Sequence, residues 1–273
     1  MIFFDFNGGL GNQLFNLATI YSFSNNGFNS LVARPRGCDS SESFDGSWHV
    51  ADLIEQISPR IGIIRTDTQL KKYKEKIFDK LRASESYDQN QAIQLFTKFK
   101  NPMNNVEIQQ FQSRFFAEYA VTNGFRGLMH AFRKERSDQG FLIHPSSQHS
   151  VCLHLRRATL TAPNGHGEVG SDDWFIRSLA ELPVSPTEIV CFTNSKEQAS
   201  SLRNYYPDIK IFGQEMGPLD SLLSMSNFKY QILSKSTFSF WANAISASEY
   251  TIGPFEATDK LRPLFNFKFS PYF

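Results

Sequence analysis

Four short stretches of this chain carry residues able to hold an anionic ligand. Asn7-Gly8-Gly9-Leu10-Gly11-Asn12-Gln13 sets three glycines ahead of a run with helical apolar spacing. Glycines let the backbone approach a ligand closely, and the helix that follows offers unpaired N–H groups to negative charge. His154-Leu155-Arg156-Arg157 closes the apolar run SVCLHL. Strand alternation puts His154 and Arg156 on one face, with Leu153 and Leu155 on the other. The planar guanidinium fork of Arg156 suits phosphate. Ser236, Thr237 and Phe238 open a helical pattern whose hydroxyls and first-turn amides form another anion cradle. Asn194 and Ser195, at the end of a further apolar run, are placed to meet a base or ribose.

Each stretch has a plainer reading beside this one. The glycines could make a tight turn with no ligand, and Arg156 could sit in a structural ion pair. His154 could be a satisfied buried histidine, and Ser236 an ordinary helix cap with Phe238, Phe240 and Trp241 in the core. A nicotinamide-type fingerprint fails, because Leu14 stands where the third glycine belongs and the second strand ends in Arg34 rather than an acid. No DxD-type acidic pair falls at a strand end to hold a divalent metal. The doublet Asp172-Asp173 opens a helix, where the macrodipole accounts for it. Together the loops suit a nucleoside-diphosphate donor whose charge is met by Arg156 and amides alone.

The elements that must position these residues alternate. IFFDF reads as a buried strand, NQLFNLATIYSF as a helix and SLVARP as a second strand stopped by Pro35. Residues 36–60 read as loop with one short helix, KKYKEKIFDKL (71–81) as a charged amphipathic helix with a solvated lysine face, and 106–135 as helical in part with one Gly break. A second strand–helix series is expected from near Phe141. It runs through SVCLHLRR (150–157), a helix over 171–182 capped by Ser171, strand TEIVCFTNS, helix SKEQASSLRNYY and strand IKIFG. It ends with helix DSLLSMSNF, strand YQILSKS, helix TFSFWANAISAS and a final strand YTIGP. Strands separated by helices of about ten residues imply parallel pairing. The expected organisation is two α/β halves, residues 1–138 and 139–273, with the boundary near Arg136–Gly140.

Composition narrows the function classes. The 273 residues carry 28 Lys+Arg against 27 Asp+Glu, which argues against a generic nucleic-acid binder. At 41% hydrophobic the chain can bury a sizeable core. Its 27 phenylalanines imply bulky cores or stacking surfaces. Cys38, Cys152 and Cys191 lack metal-ligand spacing and are odd in number, which fits a reducing compartment. No stretch approaches the ~18 apolar residues of a membrane span, and the N-terminus is a poor signal peptide. A soluble, cytoplasmic protein is the expectation, one for which peripheral membrane contact stays open.

GGLGNQLFNLA (8–18), HLRR (154–157), FTNS (192–195) and MSNFKYQILSKSTFSFWANAI (225–245) resemble, in order and spacing, the motifs of the family-eleven α-1,2-fucosyltransferases. The resemblance spans nearly the whole chain. It implies a GT-B-like architecture of two Rossmann-like lobes with a cleft between them, an N-terminal acceptor-side lobe and a C-terminal donor lobe. It also implies transfer of fucose from GDP-fucose to a glycan hydroxyl, galactose 2-OH being the expected one, with inversion, no metal and no cofactor. By position, Arg156 would bind the β-phosphate, with His154, Asn194 and Ser195 near the nucleotide or sugar. Ser236, Thr237 and Phe238 would line the phosphate pocket, and Gly9, Gly11 and Asn12 would close the cleft.

The chain departs from those motifs. Thr159 stands where the family has Asp, and Ala158 where it has the preceding Gly; Lys235, Phe228, Tyr230 and Phe240 replace Asn, Cys, His and Trp. A neutral hydroxyl cannot accept the acceptor's proton, so Glu168, Asp172 and His166 become the candidates for that role. Alternatives are another GDP-sugar or an unusual acceptor on the same fold, and a non-catalytic nucleotide-sugar or glycan-binding relative.

Overall fold

The computed structural model describes residues 2–6, 9–28, 31–34, 48–58, 61–63, 68–69, 79–82, 94, 106–109, 114–156, 172–213, 215–234, 236–253 and 267–269. The chain divides into two compact units, Met1–Phe132 and Arg133–Phe273.

The first unit holds parallel strands β1 (Ile2–Asp5), β2 (Leu31–Arg34), β3 (Gly62–Ile63), β4 (Asp79–Arg82) and β5 (Val106–Gln109), in the order β3-β2-β1-β5-β4. Between and after them run helices α1 (Leu10–Asn25), α2 (Trp48–Ile57) and α3 (Arg114–Ala120). Central β1 is apolar because both its faces are covered: Phe3, Phe4 and Phe6 have no exposed surface. Helix α1 is buried nearly all round, its Thr19 and Ser22 returning their hydroxyls to the carbonyls of Phe15 and Ala18. Phe23 of α1 packs against Phe4, Phe28 and Phe116. Among the described residues most phenylalanines thus go into cores, Phe175, Phe192 and Phe228 being fully buried in the other unit.

A π-helical turn, Val121–Phe125, joins α3 to α4 (Arg126–Asp138), and the division between the units falls within α4. The break is local chemistry. Gly124 takes φ 107°, and a Cβ there would lie 2.7 Å from the Tyr21 hydroxyl, which itself donates to the Asn123 carbonyl. An L side chain is opposed by both the backbone and the neighbour.

The second unit is a sheet of six parallel strands: β6 (Ser150–Leu155), β7 (Glu188–Thr193), β8 (Lys210–Phe212), β9 (Tyr230–Leu233), β10 (Tyr250–Gly253) and β11 (Phe267–Phe269). Their spatial order is β11-β10-β9-β6-β7-β8. Read in order of appearance this is 3-2-1-4-5-6 reversed, the doubly wound Rossmann arrangement, with its switch point between β6 and β9. The helices are α5 (Asp172–Ala180), α6 (Lys196–Ala199, tightening into a 3-10 turn over Ser200–Asn204), α7 (Pro218–Met225) and α8 (Thr237–Ala244). Val151, Leu153 and Leu155 of β6 join Trp174, Phe175 and Leu179 of α5 and Cys191 and Ile232 of the neighbouring strands in one core. Cys152 and Cys191 are fully buried.

Several elements differ from the sequence expectations. Residues 79–81, read as the end of a helix, belong to β4, where pairing with β5 overrides a helical apolar spacing; residues 71–78 lie outside the described residues. No strand begins near Phe141. That segment is irregular up to Ser150, with the Phe141 ring under the Arg136 guanidinium at 4.0 Å. SKEQASSLRNYY is only briefly α-helical. YTIGP is not the last strand, since β11 pairs beyond it. Among the described residues no helix is long and apolar enough to cross a membrane.

Candidate functional site

Strand β6 is the middle of its sheet and is buried along its whole length. Leu153 and Leu155 face the α5 core, which leaves His154 for the opposite face, toward α8. There its ring lies 5.2 Å from that of Phe238. Its Nδ1 is 2.6 Å from the Ser239 hydroxyl and 3.0 Å from that of Ser234, while the Ser234 amide donates to the His154 carbonyl at 3.1 Å. The Nδ1 side of the ring is thus engaged inside the protein. Burial first, and the nearby charge of Arg156 second, bring its pKa down to about 3.

Arg156 follows directly on β6 and is exposed. It makes no ion pair with any other described residue, so the structural-pair reading finds no support among them. Across the switch point, the chain leaves β9 at Leu233 and enters α8 through Ser236. Ser236 is an N-cap in extended conformation, accepting from the Ser239 amide at 3.0 Å and donating to the Ser239 hydroxyl at 3.0 Å. Its hydroxyl is engaged inside the protein, accepting one bond and donating another. The first-turn residues Thr237 and Phe238 are half-buried, whereas Phe240 and Trp241 are core, as the plainer reading had it. Phe228 and Tyr230, two of the departures from the family motif, are buried as well.

At the end of β7, beside β6, Asn194 is exposed. Ser195 exchanges bonds with Thr193 Oγ1 and gives its hydroxyl to Glu197 at 2.8 Å, closing the start of α6. Asp172 opens α5 with Asp173 beside it, where two carboxylates meet the positive end of the helix. In the first unit, Gly9 caps α1 with φ −67°, and its carbonyl accepts from the amides of Asn12 and Gln13 at 2.9 and 3.2 Å. A Cβ on Gly9 would meet nothing within 4 Å. Gly11, expected in the turn, is already in the helix and buried, and Asn12 is half-buried beside it. Gly8, Arg157, Thr159, His166, Glu168 and Lys235 lie outside the described residues.

The fold therefore brings His154 to α8, leaves Arg156 exposed just past β6, and sets Asn194 and Ser195 at the neighbouring strand end. Ser234 and Ser239 were not expected. The signal for Ser239 was its place three residues after Ser236, on one face of the same helix. Among the described residues no three His, Cys, Asp or Glu side chains gather to hold a metal ion.

A doubly wound parallel sheet whose switch point carries an exposed arginine and a serine-capped helix start is the framework on which α/β proteins hold nucleotides. The chain belongs to glycosyl transferase family 11, whose sequence model matches residues 2–260. It shares the fold of the ADP-heptose LPS heptosyltransferase II of E. coli, with 10% identity and TM-score 0.54 over 99% of this chain and 90% of that one. The fucosyltransferase NodZ from Bradyrhizobium aligns at 16% identity and TM-score 0.48, covering 89% and 93% of the two chains. POFUT1 in complex with GDP-fucose aligns at 10% identity and TM-score 0.48 over 89% and 93%. No curated protein matches the sequence.

Proposed function

We propose that this chain transfers L-fucose from GDP-fucose to a hydroxyl of a glycan acceptor, galactose 2-OH being the expected one, with inversion and without a metal. The second unit holds the donor and the first the acceptor. Membership of the glycosyl transferase family supports the reaction class. The observation that carries the donor reading is Arg156, an exposed guanidinium just past the central strand, two residues from a histidine whose ring touches α8.

In the proposed reaction an acceptor oxygen attacks the anomeric carbon from the face opposite the nucleotide. The bond from that carbon to the β-phosphate oxygen breaks, and its electron pair leaves with GDP. Arg156 and the first-turn amides of α8 stabilise that charge, which is larger in the transition state than in the bound donor. Asn194 and Ser195 lie on the nucleotide side, while Gly9, Gly11 and Asn12 are assigned to donor binding on the family resemblance alone. The acceptor's proton goes to Glu168, Asp172 or His166. A cytoplasmic site of action on lipid-linked or soluble glycans belongs to the same proposal.

Thr159, in place of the family's Asp, favours a second reading in which the protein binds a nucleotide sugar without turning it over, or uses another GDP-sugar or an unusual acceptor. Calorimetry against GDP-, UDP- and CMP-sugars in EDTA, with a donor-hydrolysis assay, separates these. The first reading expects GDP and GDP-fucose to bind without metal and fucose to leak slowly to water. Binding with no turnover on any acceptor supports the second, and failure to bind GDP refutes both.

A further inference from the structure

The hydrogens around His154 can be assigned from the chain of bonds that reaches it. The Ser239 amide donates to Ser236 Oγ, and the Ser236 hydroxyl donates to Ser239 Oγ, both at 3.0 Å. Ser239 then has one hydroxyl hydrogen left, and among the described residues His154 Nδ1, 2.6 Å away, is the acceptor within reach. Ser234 approaches the same nitrogen at 3.0 Å. Ser239 is 0% exposed, Ser234 1% and His154 7%. A proton on Nδ1 would aim two donors at Ser239 Oγ and leave the serine's own hydrogen without an acceptor among the described residues, which is costly in a buried place. The lone pair is therefore on Nδ1 and the proton on Nε2.

We infer that Ser239, supported by Ser234, is a positioning residue that fixes His154 as its Nε2–H tautomer, so that the imidazole offers a hydrogen-bond donor to an oxygen of the donor's diphosphate. The tautomer stands on the geometry alone; the ligand oxygen rests on the proposed GDP-sugar reading. No protein acceptor for Nε2–H is found among the described residues. Ser236 is then a relay within the protein, and the donor contributed next to Arg156 comes from the ring. This explains why a histidine beside an arginine is built to stay neutral: a second cation is not needed to hold the nucleotide, whereas an oriented N–H is.

The test is long-range 1H–15N correlation on the full chain labelled at histidine, with His154→Asn used to assign the signal among the six histidines. The expected spectrum shows His154 neutral, protonated at Nε2 and unprotonated at Nδ1, with the Nε2–H resonance moving on addition of GDP. Ser239→Ala should mix the two tautomers and weaken GDP binding by roughly tenfold, while Ser239→Thr, which keeps the hydroxyl, should restore both. A protonated Nδ1 or a charged ring in the wild-type protein overturns the positioning role, whatever GDP does. An Nε2–H ring in a protein that binds no GDP overturns the ligand half and the donor reading with it. The wild-type spectrum decides the tautomer even if Ser239→Ala fails to fold.

Discussion

Arg136 holds Asp220 through two parallel bonds, Nε–H to Oδ1 at 2.8 Å and Nη2–H to Oδ2 at 2.6 Å. Their side chains are 14% and 12% exposed, so the pair ties the end of α4 to the first turn of α7 in a largely dry place. Arg133, a turn earlier, donates to the Ser226 carbonyl just past the end of α7. Removing the carboxylate leaves a guanidinium without its counter-charge. Asp220→Ala should cost about 3 kcal/mol in urea unfolding of the second unit. A loss below about 0.5 kcal/mol would show that the pair is screened and contributes little.

Arg156 is exposed, so its replacement should leave stability untouched and act on the reaction alone. Arg156→Ala should lower turnover of GDP-fucose by roughly two to three orders of magnitude, the scale of losing an oxyanion donor. Lysine at this position should recover only part, lacking the two-pronged grip. A variant that keeps most of its activity with an unchanged melting temperature removes the arginine from the site.

Gly9 and Gly124 make opposite demands. At Gly124 the backbone is left-handed and the Tyr21 hydroxyl blocks a side chain. Gly124→Ala should therefore destabilise the first unit by about 1–3 kcal/mol, read by denaturant unfolding.

Gly9 has an ordinary φ and open space where a Cβ would go. Serine is a good N-cap, so Gly9→Ser should leave stability within about 0.5 kcal/mol of wild type or raise it. If a ligand approaches this backbone, the same variant should lose at least about tenfold in turnover through steric exclusion. Unchanged turnover would make the glycine a turn residue and nothing more.

Glu188 ties the acid-side stability of the second unit to its hydrogen bonds. Burial pushes its carboxyl up, but bonds from Lys210, the Ser146 amide and the Ser150 and Ser146 hydroxyls outweigh that and hold it at about 2. A folded pKa below the unfolded value of about 4.3 contributes stability that is complete above about pH 5 and lost as pH falls toward 2. Glu188→Gln should remove about 1–2 kcal/mol of that acid-side slope, because Lys210 is 58% exposed and its share is screened. An identical stability–pH curve for the variant would place the acid transition elsewhere.

Much of the second unit could be read locally. Each of SVCLHL, EIVCFT and YQIL is an apolar run ending in polar residues, because strands buried on both faces need apolar side chains throughout and release the chain at one edge of the sheet. The helix starts at Asp172 and Thr237 announced themselves through acids and a serine cap. By contrast, β4 carries a helical spacing and becomes a strand only because β5 offers it a ladder, and β11 is three residues that exist as a strand through β10. Pairing partners distant in the chain leave no mark in a local window.

The chemistry divides along the same line. Glycine, arginine and hydroxyl residues at strand ends, in motif order, declare from residue types alone a backbone that can approach an anion and a fork that can grip it. Which hydroxyl is used, and for what, depends on atoms 80 and 85 residues from His154, delivered by strand order and helix docking. Only that docking makes Ser236 an internal cap and His154 a neutral ring, since hydrogen-bond partnership and desolvation are properties of neighbours in space.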